Sequence, residues 1–230
     1  MGITSAVSSD KAEEMEKYLE SSKYIDWKSP EVEKLAEALA GHNALATAKG
    51  CFEWVRDNIK HSSDYKLNPV TCKASDVLRE GTGYCYAKSH LLAALLRANN
   101  IPAGLCYQRL SIFDNGAPYC LHGLNALYLE DYGWYRVDAR GNKQGIEAQF
   151  CPPNEKLAFS IVDEIEADLP EIWPEPVPSV VAVLEKNNTY NEVLENLPDI
   201  ELIGIKPIIQ APLARTTSKN ISQTTTHNDS

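Results

Sequence analysis

At Pro102 the chain changes period, and that change constrains its fold more than any other feature. Before it, from Tyr84, apolar residues recur at helical spacing, with Leu91, Leu92, Leu95 and Leu96 as a packing stripe. "ANNIP" (98–102) stops the repeat, because proline has no N–H with which to continue a helical ladder. Beyond it, "AGLCYQRLSIF" (103–113), "YCLHGLNALYLE" (119–130) and "GWYRVDA" (133–139) are short, aromatic and β-branched, and are separated by turns rich in Asn, Asp and Gly. Helices first and then an antiparallel meander predict an α+β fold.

The helices upstream follow from composition and spacing. Residues 10–22 and 30–40 are rich in Ala, Glu, Leu and Lys, and Ser29-Pro30 reads as an N-cap followed by proline at the first helical position. Residues 44–60 place Ala48, Cys51, Phe52, Val55 and Ile59 on one face of an amphipathic helix. "HSSDYKLNPV" (61–70) breaks that pattern as a loop, and Ser75-Asp76 opens a short helix that stops at Gly81. Residues 151–200 are punctuated by prolines, with a helix expected near 179–195. The part from 152 to 178 is a lid or a strap, and rigid Pro-rich spacers favour the strap. The expected organisation is a helical extension over 1–44, a core over 45–150, a packed segment over 151–212 and a disordered tail over 213–230.

A chain of 230 residues buries a core without a disulfide or metal staple. Its formal net charge of -10 argues against binding a phosphate backbone and gives no attraction to anionic lipid. The N-terminus lacks the basic start and apolar stretch of a signal peptide, and Ala6 stands where a myristoylation motif needs Ser or Thr. No run approaches the ~18 apolar residues of a membrane span. The expectation is a cytoplasmic protein with neither nucleic acid nor membrane as partner.

Of the six cysteines, Cys85 is set apart by position. It follows Gly81 and Gly83 into a helix start, where unpaired backbone N–H groups and the positive end of the dipole favour a thiolate. The others read as small buried hydrophobes. A thiolate nucleophile needs a base within hydrogen-bond reach and a third group to orient that base. His90 lies about 140° around the helix from Cys85 and points elsewhere. His42 and His61 sit at helix-to-loop junctions, where solvated histidines are ordinary, and His227 lies in the tail. His122 alone is inside a strand, beside Gly123. The following strand carries one acid, Asp138, between Val137 and Ala139. If Glu130, Asp131 and Tyr132 form a three-residue loop, residue 122 opposes 140, and Asp138 is the same-face diagonal neighbour of His122 at ~7–8 Å between Cα atoms. A two-residue loop would put the two on opposite faces.

This order and spacing resembles the transglutaminase-like superfamily, a branch of the papain-like cysteine enzymes. The resemblance rests on "ASDVLREGTGYCYAKSHLLAALLRANNIPAG" and "LHGLNALYLEDYGWYRVDAR", with "CFEWVRDNIKH" like the helix that precedes them. It implies a papain-like core with the Cys85 helix packed on an antiparallel sheet. It further implies Cys85 as nucleophile, His122 as base and later acid, and Asp138 as the residue that orients the imidazole. In the family a Trp often follows the Cys and an aromatic residue often stands two after the His, where this chain has Tyr86 and Leu124. The implied reaction is acyl transfer through a thioester, with no cofactor and no metal. Its substrate is a peptide, a protein or a small amide. Hydrolysis of the amide is favoured over crosslinking by an amine, and a non-catalytic binding module on the same fold is the third reading. The backbone N–H of Cys85 supplies one oxyanion donor; Trp54 and Asn68 are candidates for a second.

Overall fold

The computed structural model describes residues 14–113 and 116–200. The tail from Arg215 and the first part of the helix expected over 10–22 lie outside the described residues; what is described of that helix is a single turn at 14–16.

Three helices precede the Cys85 helix on its outer side. They are α1 (Pro30–Leu39), α2 (Ala44–Asn58) and, after the short α3 (Ser62–Tyr65), α4 (Ala74–Glu80). Ser29 takes the N-cap position with Pro30 in the first turn, but its hydroxyl makes no capping bond and is buried without a partner. Asn43 does cap α2, accepting from the Ala46 N–H at 2.8 Å. The stretch 61–70 is more ordered than a bare loop. Lys60–His61 (β1) pairs in parallel with Thr82–Gly83 (β2), which ties the end of α2 to the entry of the Cys85 helix.

That helix, α5 (Cys85–Ala98), is the hub. Every residue from Cys85 to Arg97 is buried, so it is packed all round rather than amphipathic. It contacts α1, α2 and α4 on one side and the sheet strands β3 (Ala103–Ser111) and β4 (Tyr119–Leu129) on the other. Leu91, Leu92, Leu95 and Leu96 are fully buried, and burying each contributes about 1.5–3 kcal/mol. Ser89 donates to the Cys85 carbonyl, Arg97 to the Glu20, Ala103 and Pro174 carbonyls, and the C-cap residue Asn99 to the Ala36 carbonyl.

The main sheet is antiparallel in the order β5-β4-β3-β8, with β5 at Gly133–Val137 and β8 at Ala167–Asp168. Between β4 and β5, Asn125 pairs with Val137 and Leu129 with Gly133, which leaves 130–132 as the loop. This is the three-residue register, and Gly133 closes it at φ 71°. A small hairpin of β6 (Gln149–Cys151) and β7 (Asn154–Lys156) follows.

Part of the Pro-punctuated segment runs as a strap along the sheet. Trp173 exchanges backbone hydrogen bonds with Leu105 at 2.7 and 2.8 Å, and the Leu169 N–H reaches the Tyr107 carbonyl, so the segment adds to the outer edge of β3. The helix expected near 179–195 is two helices, α6 (Pro178–Lys186) and α7 (Tyr190–Glu195). Thr189 and Glu192 form a capping box that starts α7 anew. Among the described residues no helix is long and apolar enough to cross a membrane.

Candidate active site

Two glycine-dependent turns deliver Cys85 to the start of α5. Gly81 ends α4 at φ 66°, in the left-handed region. Gly83 then passes so close to α5 that a Cβ there would lie 3.1 Å from Ala87 Cβ and 3.2 Å from Thr71 Oγ1. Tyr84 is the N-cap residue and Cys85 the first helical residue. Its backbone N–H belongs to the first turn and has no acceptor within the helix.

β4 brings its own backbone to that turn. The Gly123 N–H points at Cys85 Sγ at 3.5 Å, and the Tyr86 hydroxyl donates to the Leu121 carbonyl. His122 lies between these anchors, with the Cys85 sulfur near enough to act on the charge of its ring. Its Nε2–H donates to Asp138 Oδ2 at 2.7 Å, which leaves Nδ1 for the sulfur. Asp138, immediately after β5, is completely buried and has two further donors, the backbone N–H groups of Arg140 at 3.0 Å and Ala158 at 3.2 Å. The three residues singled out in the sequence are therefore brought together, with His122 hydrogen-bonded to Asp138 and sharing the cleft with Cys85.

The charges in that line hold one another. Burial works against a charged His122, yet the Asp138 carboxylate and the Cys85 sulfur outweigh it and raise the imidazole to about 10. Burial also works against the Asp138 carboxylate, and the His122 charge with the three hydrogen bonds still brings it below its usual value. The edge of Phe159 packs on the His122 ring at 4.9 Å between centroids and covers the pair. Neither Ala158 nor Phe159 is signalled by a motif, since both come from the irregular segment after β7.

The remaining thiols and imidazoles separate clearly. Burial pushes Cys51, Cys72, Cys106 and Cys120 up to about 12. The Cys151 thiol is half-buried and donates to the Asn154 carbonyl at 3.4 Å. His90 faces away from Cys85, with Nδ1 at 2.7 Å from the Cys72 carbonyl. His42 is exposed. His61 departs from the solvated junction residue the sequence suggested: it is 7 % exposed and lines the same cleft as Cys85.

The cleft has a volume of about 350 Å³, with Cys85 and His122 in its lining. Leu110, Ile112 and Val162 give it an apolar side, while His61, Arg140 and Lys143 give it a polar one. Leu194 and Leu197 also line it, held there by the Leu121 N–H, which donates to the Pro198 carbonyl at 2.7 Å. Trp54 and Asn68 do not line it; the Asn68 side chain accepts from the Tyr190 N–H instead. Among the described residues no group of three or more His, Cys, Asp or Glu side chains is arranged to hold a metal ion.

A mostly helical half carrying a cysteine at a helix start, against an antiparallel sheet carrying a histidine and an acid, defines a papain-like architecture. Residues 33–139 match the family model of the transglutaminase-like superfamily. No curated protein matches the chain. Among solved structures it is similar to a candidate cysteine protease from Cytophaga hutchinsonii, at 24% identity and a TM-score of 0.45 over 55% of this chain and 42% of that one. It is also similar to the periplasmic domain of TgpA from Pseudomonas aeruginosa, at 21% identity and a TM-score of 0.40 over 53% of this chain and 45% of that one. The match thus spans less than half of each of these solved chains.

Proposed function

We propose that this chain is a cysteine-dependent acyl-transfer enzyme that hydrolyses a peptide or amide bond, with Cys85 as nucleophile, His122 as acid and base, and Asp138 as the residue that orients His122. The observation that carries this reading is the His122 ring hydrogen-bonded to the buried Asp138 while it lines one cleft with Cys85, whose sulfur also accepts from the Gly123 N–H.

In the first step the Cys85 sulfur, its proton already on His122 Nδ1, attacks the amide carbonyl carbon. The negative charge moves to the carbonyl oxygen, where the Cys85 backbone N–H is placed to receive it; one such donor is worth about 3 kcal/mol. The C–N bond then breaks, and His122 gives its proton to the departing amine. The sulfur charge is one of two anions that hold the imidazolium, so forming the neutral thioester weakens the hold on that proton as it is needed. Water loses a proton to His122, attacks the thioester and releases the acid and the thiol. An amine in place of water gives crosslinking by the same steps.

Iodoacetamide at neutral pH tests the nucleophile. Cys85 should be labelled faster than the other thiols, and His122→Ala should slow that labelling; equal labelling of several thiols, or none at Cys85, overturns the reading in favour of a binding module. Incubation with a fluorescent primary amine and a glutamine-bearing protein separates the two reactions. Shortened substrate without amine incorporation supports hydrolysis, and incorporation that disappears in Cys85→Ala replaces hydrolysis with transfer.

A further inference from the structure

Arg140 and Lys143 line one wall of the cleft and are joined behind it by Asp64, which lines the neighbouring pocket, and the charges of the three do not cancel. The Arg140 guanidinium grips both carboxylate oxygens of Asp64, at 2.7 and 3.0 Å, and Lys143 adds a third bond at 2.7 Å. Two cations thus face one anion in a protein whose formal net charge is -10. The grip uses the terminal nitrogens of Arg140 and one of the three Lys143 N–H bonds, and the Lys143 side chain is 46% exposed. His61 completes the wall. Its Nδ1 is buried with no hydrogen-bond partner, and the nearest carboxylate oxygen, Asp64 Oδ2, is 3.9 Å away, beyond hydrogen-bonding distance. A buried ring nitrogen without a partner is costly unless a ligand supplies one.

The opposite cluster is closed to such a role. Glu166 also borders the cleft, but its carboxylate is occupied by the backbone N–H groups of Ser111, Val162 and Asp163, at 2.9, 2.8 and 3.2 Å. It pins the strap to the end of β3. Asp138, the remaining acid nearby, is neutralised by His122. The surplus of positive charge in the cleft is therefore on Arg140 and Lys143, with the unpartnered His61 ring beside them.

We propose that this wall is a subsite for a carboxylate carried by the substrate beside the bond under attack. The inference rests on the acyl-transfer reading for the meaning of that bond, and it narrows the substrates to amides bearing an acidic group. The carboxylate comes from an Asp or Glu side chain or from a free chain terminus; the chemistry of recognition is the same, and Lys143 is its most accessible donor.

Binding to the Cys85→Ala protein tests the subsite without turnover. The probes are acetyl-tetrapeptide amides of alanine in which one Glu is moved position by position, each paired with its Gln counterpart, and acetyl-trialanine with a free or an amidated terminus. At one position, or at the free terminus, the acid should bind at least about tenfold tighter than the amide, the size of one charge-assisted hydrogen bond. The position identifies side chain or terminus as the source. Lys143→Glu, a change at a half-exposed site, should remove that preference, and raised salt should weaken it in the unaltered wall. Equal binding of acid and amide, no binding of any acidic peptide at millimolar concentration, or a preference that survives Lys143→Glu overturns the subsite. Turnover by the wild-type chain with equal kcat/KM for both members of every pair also overturns it while leaving the reaction in place. A binding preference without turnover overturns the reaction and leaves the subsite.

Discussion

Gly123 lies directly against the first turn of α5: a methyl group on it would come within 3.1 Å of Tyr86 Cα and 3.0 Å of Tyr86 Cδ1. This closeness lets the Gly123 N–H face Cys85 Sγ and brings the neighbouring His122 into the same cleft as the sulfur. Gly123→Ala should push β4 away from the helix start. The expected loss of stability is about 1–3 kcal/mol, the usual cost of overpacking. Because Gly123 adjoins His122 and its N–H faces the sulfur, labelling of Cys85 by iodoacetamide should slow, in a chain that remains folded by circular dichroism.

Much of this site was legible because period and hairpin geometry are local properties. The loop at 130–132 sets residue 122 against 140, and Asp138 then shares a face with His122. An acid flanked by Val137 and Ala139 has to find a partner, and the register supplies it. His61 was misread for a matching reason. Its neighbours are polar, and only the parallel pairing with Gly83, 22 residues later, places it under the cleft. Ala158 and Phe159 reach Asp138 and His122 from a segment with no period at all, where contacts are set by the path of the strap rather than by spacing. The split between α6 and α7 was signalled by Thr189 and Glu192, whose spacing is that of a capping box.

The His122–Asp138 pair should make stability depend on pH in a defined window. His122 is raised to about 10, so its contribution is complete below the unfolded value of about 6.5 and is lost as pH rises through about 10. Asp138 is lowered, so its contribution is complete above about 3.9 and is lost as pH falls through its folded value. Asp138→Asn keeps the shape and removes the charge. Urea denaturation should show the variant about 3–5 kcal/mol less stable near pH 6. The difference should shrink toward pH 10 and again in strong acid; a difference constant from pH 4 to 10 would mean the two groups do not act as a charged pair.

Lys88 gives the opposite slope. It is fully buried one helical turn from Cys85, and its ammonium donates to the Ile59 carbonyl and, at 3.4 Å, to the Arg56 carbonyl. Burial first, and then the Arg140 charge, lower it to about 7. Between about 7 and about 10.5 the unfolded chain holds a proton that the folded chain does not, so stability rises with pH on this account by on the order of 1 kcal/mol per pH unit. Lys88→Met should abolish that rise. Compared with the wild type, the variant should be favoured at pH 6 relative to pH 9, whatever the constant cost of leaving two carbonyls short of a donor.

Phe159 tests whether cover over the pair matters to its chemistry. Its ring edge sits on His122, and the neighbouring Ala158 N–H bonds to Asp138, so the same two residues shield and hold the pair. Phe159 is itself only half-buried, so Phe159→Ala should cost less than the about 3–5 kcal/mol of a core aromatic. Water admitted to the His122 ring raises the local dielectric and weakens the attraction to Asp138 and Cys85 more than it relieves the burial penalty, since those charges already outweigh burial in setting the imidazole. The His122 imidazole, followed by NMR, should therefore titrate closer to its ordinary value in the variant, and alkylation of Cys85 should slow although neither partner has been changed. An unchanged titration with the same loss of stability would reduce Phe159 to packing alone.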